Sequence, residues 1–228
     1  MSEQILVLSP GPANEAGSFD EIYNDAYLGG ETRMRAAVTL SRHRQSARFI
    51  MVGGCNISPV FGSDKVDAMI DYVRSRNPHA SDRLVARPSL PCTYHNLVAA
   101  FTLLHKEGVL ERPDTQISIL TNEYHGPRVL AQAVEVWRQI APDVPMKLQI
   151  PSAEAIMGVD IENDIEAMYP AEYARRIDME AQGIKDIYNG TYTDSCFDRY
   201  GEELAPVLAD HRDELLTASE LQSLYVPQ

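Results

Sequence analysis

Short apolar runs recur along this chain, each followed by an amphipathic pattern of helical length, and this alternation restricts its fold more than any other feature. The runs "QILVL" (4–8), "RFIMVGG" (48–54), "RLVARPS" (83–89), "QISILTN" (116–122) and "MKLQIPS" (146–152) read as strands. Between them, Met34, Ala37, Val38 and Ser41 fall at helical spacing, as do Val66, Met69, Ile70 and Val73. Leu97, Ala100, Phe101 and Leu104 form a third such stripe, and Val129, Ala133, Val136, Trp137 and Ile140 a fourth. Ser63 is placed to cap the second helix and Thr93 the third, which Gly108 closes. Strands that are apolar along their whole length are buried on both faces, and strand–helix alternation builds right-handed βαβ units. Residues 1–152 are therefore predicted to form an α/β domain, Rossmann-like and doubly wound around a mostly parallel sheet. Strands 4–8, 48–54 and 116–122 are expected to be parallel neighbours in it.

Charge divides the chain at the same boundary. The net charge is −13, and residues 151–228 carry 17 acidic against 5 basic side chains, so residues 1–150 are almost balanced at 16 against 15. The segment 153–228 reads as an acidic helical C-terminal extension, expected to pack on the sheet domain or against a second subunit in a homodimer. Without a basic stripe the chain is a poor partner for nucleic acid, which needs clustered Lys and Arg to displace counterions. No stretch approaches the roughly 18 to 20 apolar residues that span a bilayer, and "MSEQILVLSPG" lacks the pattern of a signal peptide. Membrane insertion is thus not expected, and a cytoplasmic location is. Cys55, Cys92 and Cys196 are widely spaced, with neither the density of a disulfide scaffold nor a zinc-binding CxxC.

Open parallel sheets bind ligands outside the carboxyl ends of their strands, where helix N-termini present free N–H groups. Three segments occupy such ends: "VGGC" (52–55), "PSLPCTYHN" (88–96) and "TNEYHGPR" (121–128). In the last, Pro127 suits a first helical turn, which puts His125 near the N-cap and Arg128 just inside the helix. A cation there opposes the helix dipole by about 0.3 to 1 kcal/mol unless an anion offsets it. Plain structural roles exist for several neighbours. Thr93 can cap a helix, Asn96 can satisfy its first turn, Gly53 and Gly54 can serve a tight turn, and Asp67 can be a solvated acid. His95 and His105 read as surface or capping groups, and the tyrosines of the C-terminal third as packing residues.

The segments "GGETRMRAAVTL", "IMVGG", "SDKVDAMIDYV", "TYHN" and "LTNEYHGPRVLAQA", in this order, resemble the YdcF/SanA/ElyC-like family of α/β domains over roughly residues 5–150. That family shows an Arg before a helix, a strand ending in Ser-Gly-Gly and an acidic residue two before a Met. It also shows a Thr-x-x-Asn helix start and a strand ending in Thr-Ser-x-x-His-x-x-Arg-Ala. The resemblance maps these onto Arg33, Gly53 and Gly54, Asp67, Thr93 and Asn96, and Thr121, His125 and Arg128. The chain departs in reading "LSPGP" after its first strand, Val52 before the glycine pair, Asn122 after Thr121, and Leu130 near the usual Ala. The resemblance implies a Rossmann-like fold, a role in cell-envelope metabolism, and S-adenosylmethionine as a candidate ligand.

Two functions follow as expectations. In one, the protein is an enzyme, a hydrolase or transferase, acting on a small anionic metabolite containing phosphate or a nucleotide. His125 is then general acid or base, with Asp67 orienting it or neutralising an arginine, and Arg33 and Arg128 hold the anion. Gly53, Gly54, Thr93, Asn96, Thr121 and Asn122 line the ligand. In the other, the same residues bind S-adenosylmethionine or a nucleotide without hydrolysis, with Arg128 on the carboxylate. The chain has no GxGxxG, phosphate-loop, GxSxG or HExxH signature. No spacing argues for a metal; Cys55, at a strand end, is a minor nucleophile candidate.

Overall fold

The computed structural model describes residues 2–10, 29–54, 65–89 and 93–191. Five strands, β1 (Ser2–Leu8), β2 (Arg48–Gly54), β3 (Leu84–Ser89), β4 (Thr115–Leu120) and β5 (Leu148–Gln149), form one sheet in the order β3-β2-β1-β4-β5. Every pairing is parallel, with Leu6 opposite Ile50 on one side and Ile119 on the other. The expected neighbours β2, β1 and β4 are adjacent, and the strand order reverses between β1 and β4.

Alternation along the strands feeds two cores. Leu6, Leu8, Ile50, Val52, Ile117 and Ile119 point to one face, under α3 (Thr93–Lys106) and α4 (Gly126–Ile140). Ile5, Val7, Phe49 and Met51 point to the other, under α1 (Gly30–His43), α2 (Lys65–Arg76) and α5 (Ala153–Met157). With apolar side chains on both faces the strands need helices on both, so the sheet is doubly wound. The expected inward residues of α1, α2 and α3 are all buried, and on α4 only Ile140 is partly exposed. Gly108 adopts φ +63°, and the N–H groups of Gly108 and Val109 return to His105 and Leu104, so α3 stops where a left-handed residue is cheap. Ser63 lies outside the described residues.

β5 is shorter than the run 146–152 suggests. It is an edge strand, and Pro151 has no N–H to donate, so beyond Gln149 only an isolated bridge from Thr121 to Ser152 continues the pairing. In the acidic segment, a π-helical turn (Ile161–Glu166) leads into α6 (Pro170–Tyr188), which packs against α4. Tyr169 and Tyr173 surround Ile165, whereas Tyr188 is exposed; Tyr192, Tyr200 and Tyr225 lie outside the described residues. No helix among the described residues is long and apolar enough to cross a membrane.

Candidate functional site

The chain ends of β1 and β4 separate where the strand order reverses, and Arg33 of α1 occupies that gap. Its Nη1 donates to the carbonyls of Leu8 (3.0 Å) and Ser9 (2.9 Å), while Nε and Nη2 both donate to Asn122 Oδ1 (2.9 and 2.6 Å). Four of its five N–H groups are thus committed to the protein itself. Asn122 Nδ2 donates to the Gly29 carbonyl (3.1 Å) and to Glu154 Oε1 (2.6 Å), and Glu154 Oε2 accepts from the Glu123 backbone N–H (2.8 Å). Burial lowers the Arg33 pKa, against the opposing pull of Tyr124, Glu154 and Glu180. Arg33, expected to grip an anion, instead joins the ends of β1 and β4. Asn122 supplies the amide that makes this possible.

A second cluster lies where α3 and α4 begin. His125 is the N-cap of α4 and is buried; its Nδ1 stands 2.7 Å from Glu180 Oε2, and its Nε2 3.1 Å from Thr93 Oγ1. Glu180 comes from α6 and also receives Arg128, Nε on Oε2 at 2.5 Å and Nη2 on Oε1 at 2.9 Å. Burial pulls the Glu180 carboxyl upward, but His125 and the paired guanidinium more than offset it and hold it at about 2. Arg128 Nη2 also stands 3.2 Å from His125 Nδ1, but it donates at 2.9 Å to Glu180 Oε1. The shorter 2.7 Å contact of Nδ1 with an ionised carboxylate, which only accepts, assigns the imidazole proton to Nδ1 and leaves Nε2 as the acceptor for the Thr93 hydroxyl. Burial and the adjacent Arg128 lower the His125 pKa to about 4 despite Glu180, so the ring is neutral at pH 7. The result is a continuous run of hydroxyl, neutral imidazole and carboxylate. It has the connectivity of a nucleophile–base–orienter triad.

The anion demanded by the dipole argument at Arg128 is therefore Glu180, a side chain of the protein. One stripe of α6 carries Tyr173, Arg176, Glu180 and Gly183 at helical spacing. A Cβ on Gly183 would lie 2.6 Å from Arg128 Cδ, so only glycine lets the arginine pass beneath α6 to its carboxylate. Arg176 lies 5.6 Å from the centre of the Tyr124 ring, and both add to the electrostatic field at Arg33.

The other expected residues are distributed as follows. Asp67 is exposed in the first turn of α2 and makes no side-chain hydrogen bond or ion pair among the described residues; the carboxylate orienting His125 is Glu180. Asn96 is buried and accepts from the Ser89 hydroxyl, which ties α3 to the end of β3. A Cβ on Gly53 would lie 2.6 Å from Ser9 Cβ, so that glycine admits the chain leaving β1. Gly54 pairs with Ser89 at the end of β2. Thr121 is fully buried, and its hydroxyl has no hydrogen-bond partner among the described residues. His95 is buried, contrary to its reading as a surface group, because it sits on the face of α3 turned inward; His105 is exposed and pairs with Glu111. Cys55, Cys92 and Cys196 lie outside the described residues. Among the described residues no group of three or more His, Cys, Asp or Glu side chains is arranged to hold a metal ion.

Sequence reasoning missed Glu180, Glu154, Arg176 and Gly183. Gly183 did leave a trace: glycine inside a helix costs about 1 kcal/mol relative to alanine, which calls for a packing reason. Compared with known proteins, the chain matches no family model, no curated protein and no solved structure.

Proposed function

We propose that this protein is an enzyme of the YdcF/SanA/ElyC-like type that hydrolyses, or transfers a group from, a small anionic metabolite containing phosphate or a nucleotide. The observation that carries this reading is the run Thr93 Oγ1, His125 Nε2, His125 Nδ1, Glu180 Oε2, with separations of 3.1 and 2.7 Å across its two hydrogen bonds. Neutral His125 takes the Thr93 proton as the hydroxyl oxygen attacks an electrophilic phosphorus or carbonyl carbon. Imidazolium, stabilised by Glu180, then gives that proton to the departing oxygen or nitrogen. Water, or a second acceptor, attacks the threonine-bound group with His125 again as base, and Thr93 is regenerated. The local charge is balanced, with Arg33, Arg128 and Arg176 against Glu123, Glu154 and Glu180 and His125 uncharged, so an anionic substrate is not opposed by a net negative field. The starts of α3 and α4 add the positive ends of two helix dipoles.

Binding of S-adenosylmethionine through Arg128 has less support, because its carboxylate would have to displace Glu180 from a bidentate pair. The test is turnover of 4-nitrophenyl phosphate, bis(4-nitrophenyl) phosphate and 4-nitrophenyl acetate, with mass mapping after treatment with a fluorophosphonate. We expect an adduct on Thr93, lost in Thr93→Ala and His125→Asn. Turnover in both variants should fall by about 10² to 10⁴, while Thr93→Ser retains activity. Native turnover in His125→Asn, or an adduct mapped elsewhere, would refute the assignment.

A further inference from the structure

On the outer side of α1, away from Arg33, lies a cavity of about 320 Å³ between α1, α2 and α5. Three guanidinium groups line it: Arg35 and Arg42 from α1 and Arg76 from α2. This concentration of positive charge lies within residues 1–150, whose 16 acidic and 15 basic side chains are nearly balanced. Among the described residues Glu31 is the sole acid lining the cavity, one helical turn before Arg35 and so its natural ion-pair partner. Its carboxylate is instead taken by the Tyr72 hydroxyl from α2. Arg35 in consequence has no hydrogen bond or ion pair among the described residues. Arg76 lies over the Tyr72 ring, its Cζ 3.5 Å from the ring centre, and Arg42 Nη2 donates to the Arg76 carbonyl at 2.8 Å, which draws the two helices' cations together. Like charges gathered round one cavity repel, at a cost that a bound anion removes. The rest of the lining includes the Tyr72 ring and Met157, an aromatic and a polarisable apolar wall.

We propose that this cavity is a second ligand site, separate from the Thr93–His125 cluster, and that it takes a phosphate monoester or phosphonate bearing an aromatic or apolar body. The anionic head pairs with Arg35 and Arg42, and the body lies against Tyr72 and Met157. This inference stands independently of the enzymatic proposal, since it shares no residue with that site.

Titration calorimetry at low ionic strength tests it, with phenylphosphonate and inorganic phosphate as probes, because neither can be turned over as an ester. Phenylphosphonate should bind at least about tenfold more tightly than inorganic phosphate. The double variant Arg35→Ala, Arg42→Ala, whose two side chains are exposed and whose fold is checked by circular dichroism, should weaken phenylphosphonate by about tenfold to a hundredfold or more. His125→Asn should bind it as the native protein does. The proposal is overturned by absent binding to the native protein at about 10 mM probe, by unchanged affinity in the double variant, by phosphate binding as tightly as phenylphosphonate, or by loss of binding in His125→Asn.

Discussion

Replacing Glu180 with glutamine removes one negative charge from a site where three N–H groups converge on its carboxylate. Glu180 is 4% exposed, so water cannot take its place at Arg128 without moving α6. Breaking a buried pair from one side costs about 3 to 5 kcal/mol. The carboxyl's lowered value, about 2 against 4.5 for a free one, agrees in sign: His125 and Arg128 favour its ionised form, and at pH 7, where His125 is neutral, the charge that does so is that of Arg128. The sign follows from the lowered value: the contribution is complete above about pH 4.5 and is lost as pH falls through about 2. Urea unfolding of native protein and Glu180→Gln should therefore differ by about 3 kcal/mol at pH 7, and by progressively less toward pH 3. Hydrogen exchange of the α6 amides should accelerate by a comparable free energy, since this carboxylate fastens α6 to α4. Turnover should fall by about 10⁴, because glutamine can present its amide N–H to His125 and reverse the tautomer. A stability difference below about 1 kcal/mol with unchanged α6 exchange would mean that Glu180 is solvated in solution and that the triad reading has no foundation.

Arg128→Ala should destabilise the fold by about 3 kcal/mol or more, read by thermal melting, because it strands Glu180 without its bidentate partner; a loss under 1 kcal/mol would contradict the pairing. Gly53→Ala should cost about 1 to 3 kcal/mol in a urea titration, since its Cβ would meet Ser9 Cβ at 2.6 Å and the chain leaving β1 would have to move. Native stability in that variant would show that the end of β1 is not held against β2.

Strand and helix positions were legible because burial has a local signature. Runs such as "QILVL" and "QISIL" place apolar side chains on both faces, and the inward residues of α1 to α4 follow from the 3.6-residue period alone. The placing of a candidate site at the carboxyl ends of the strands followed from parallel topology, which also brought Thr93, Asn122, His125 and Arg128 into consideration. β5 was over-read, because pairing at an edge depends on donors that Pro151 lacks.

The partners of those residues depend on contacts that no local pattern encodes. The 17 acids in residues 151–228 are nearly equivalent as sequence, and nothing in their spacing distinguishes Glu180 as the one that meets His125, 55 positions away. Asp67 was the nearest acid by motif, yet α2 leaves it in solvent. Arg33 and Arg128 read as anion-binding because a lone cation in sequence has no visible counter-charge; folding supplied Asn122 with two backbone carbonyls to the first, and Glu180 to the second. The sequence determined which side chains reach the carboxyl edge of the sheet, since that depends on period and strand order. The docking of α6 decided which of them are paired, neutral or charged, since Coulomb interaction and desolvation are set by distance in space and not by separation along the chain.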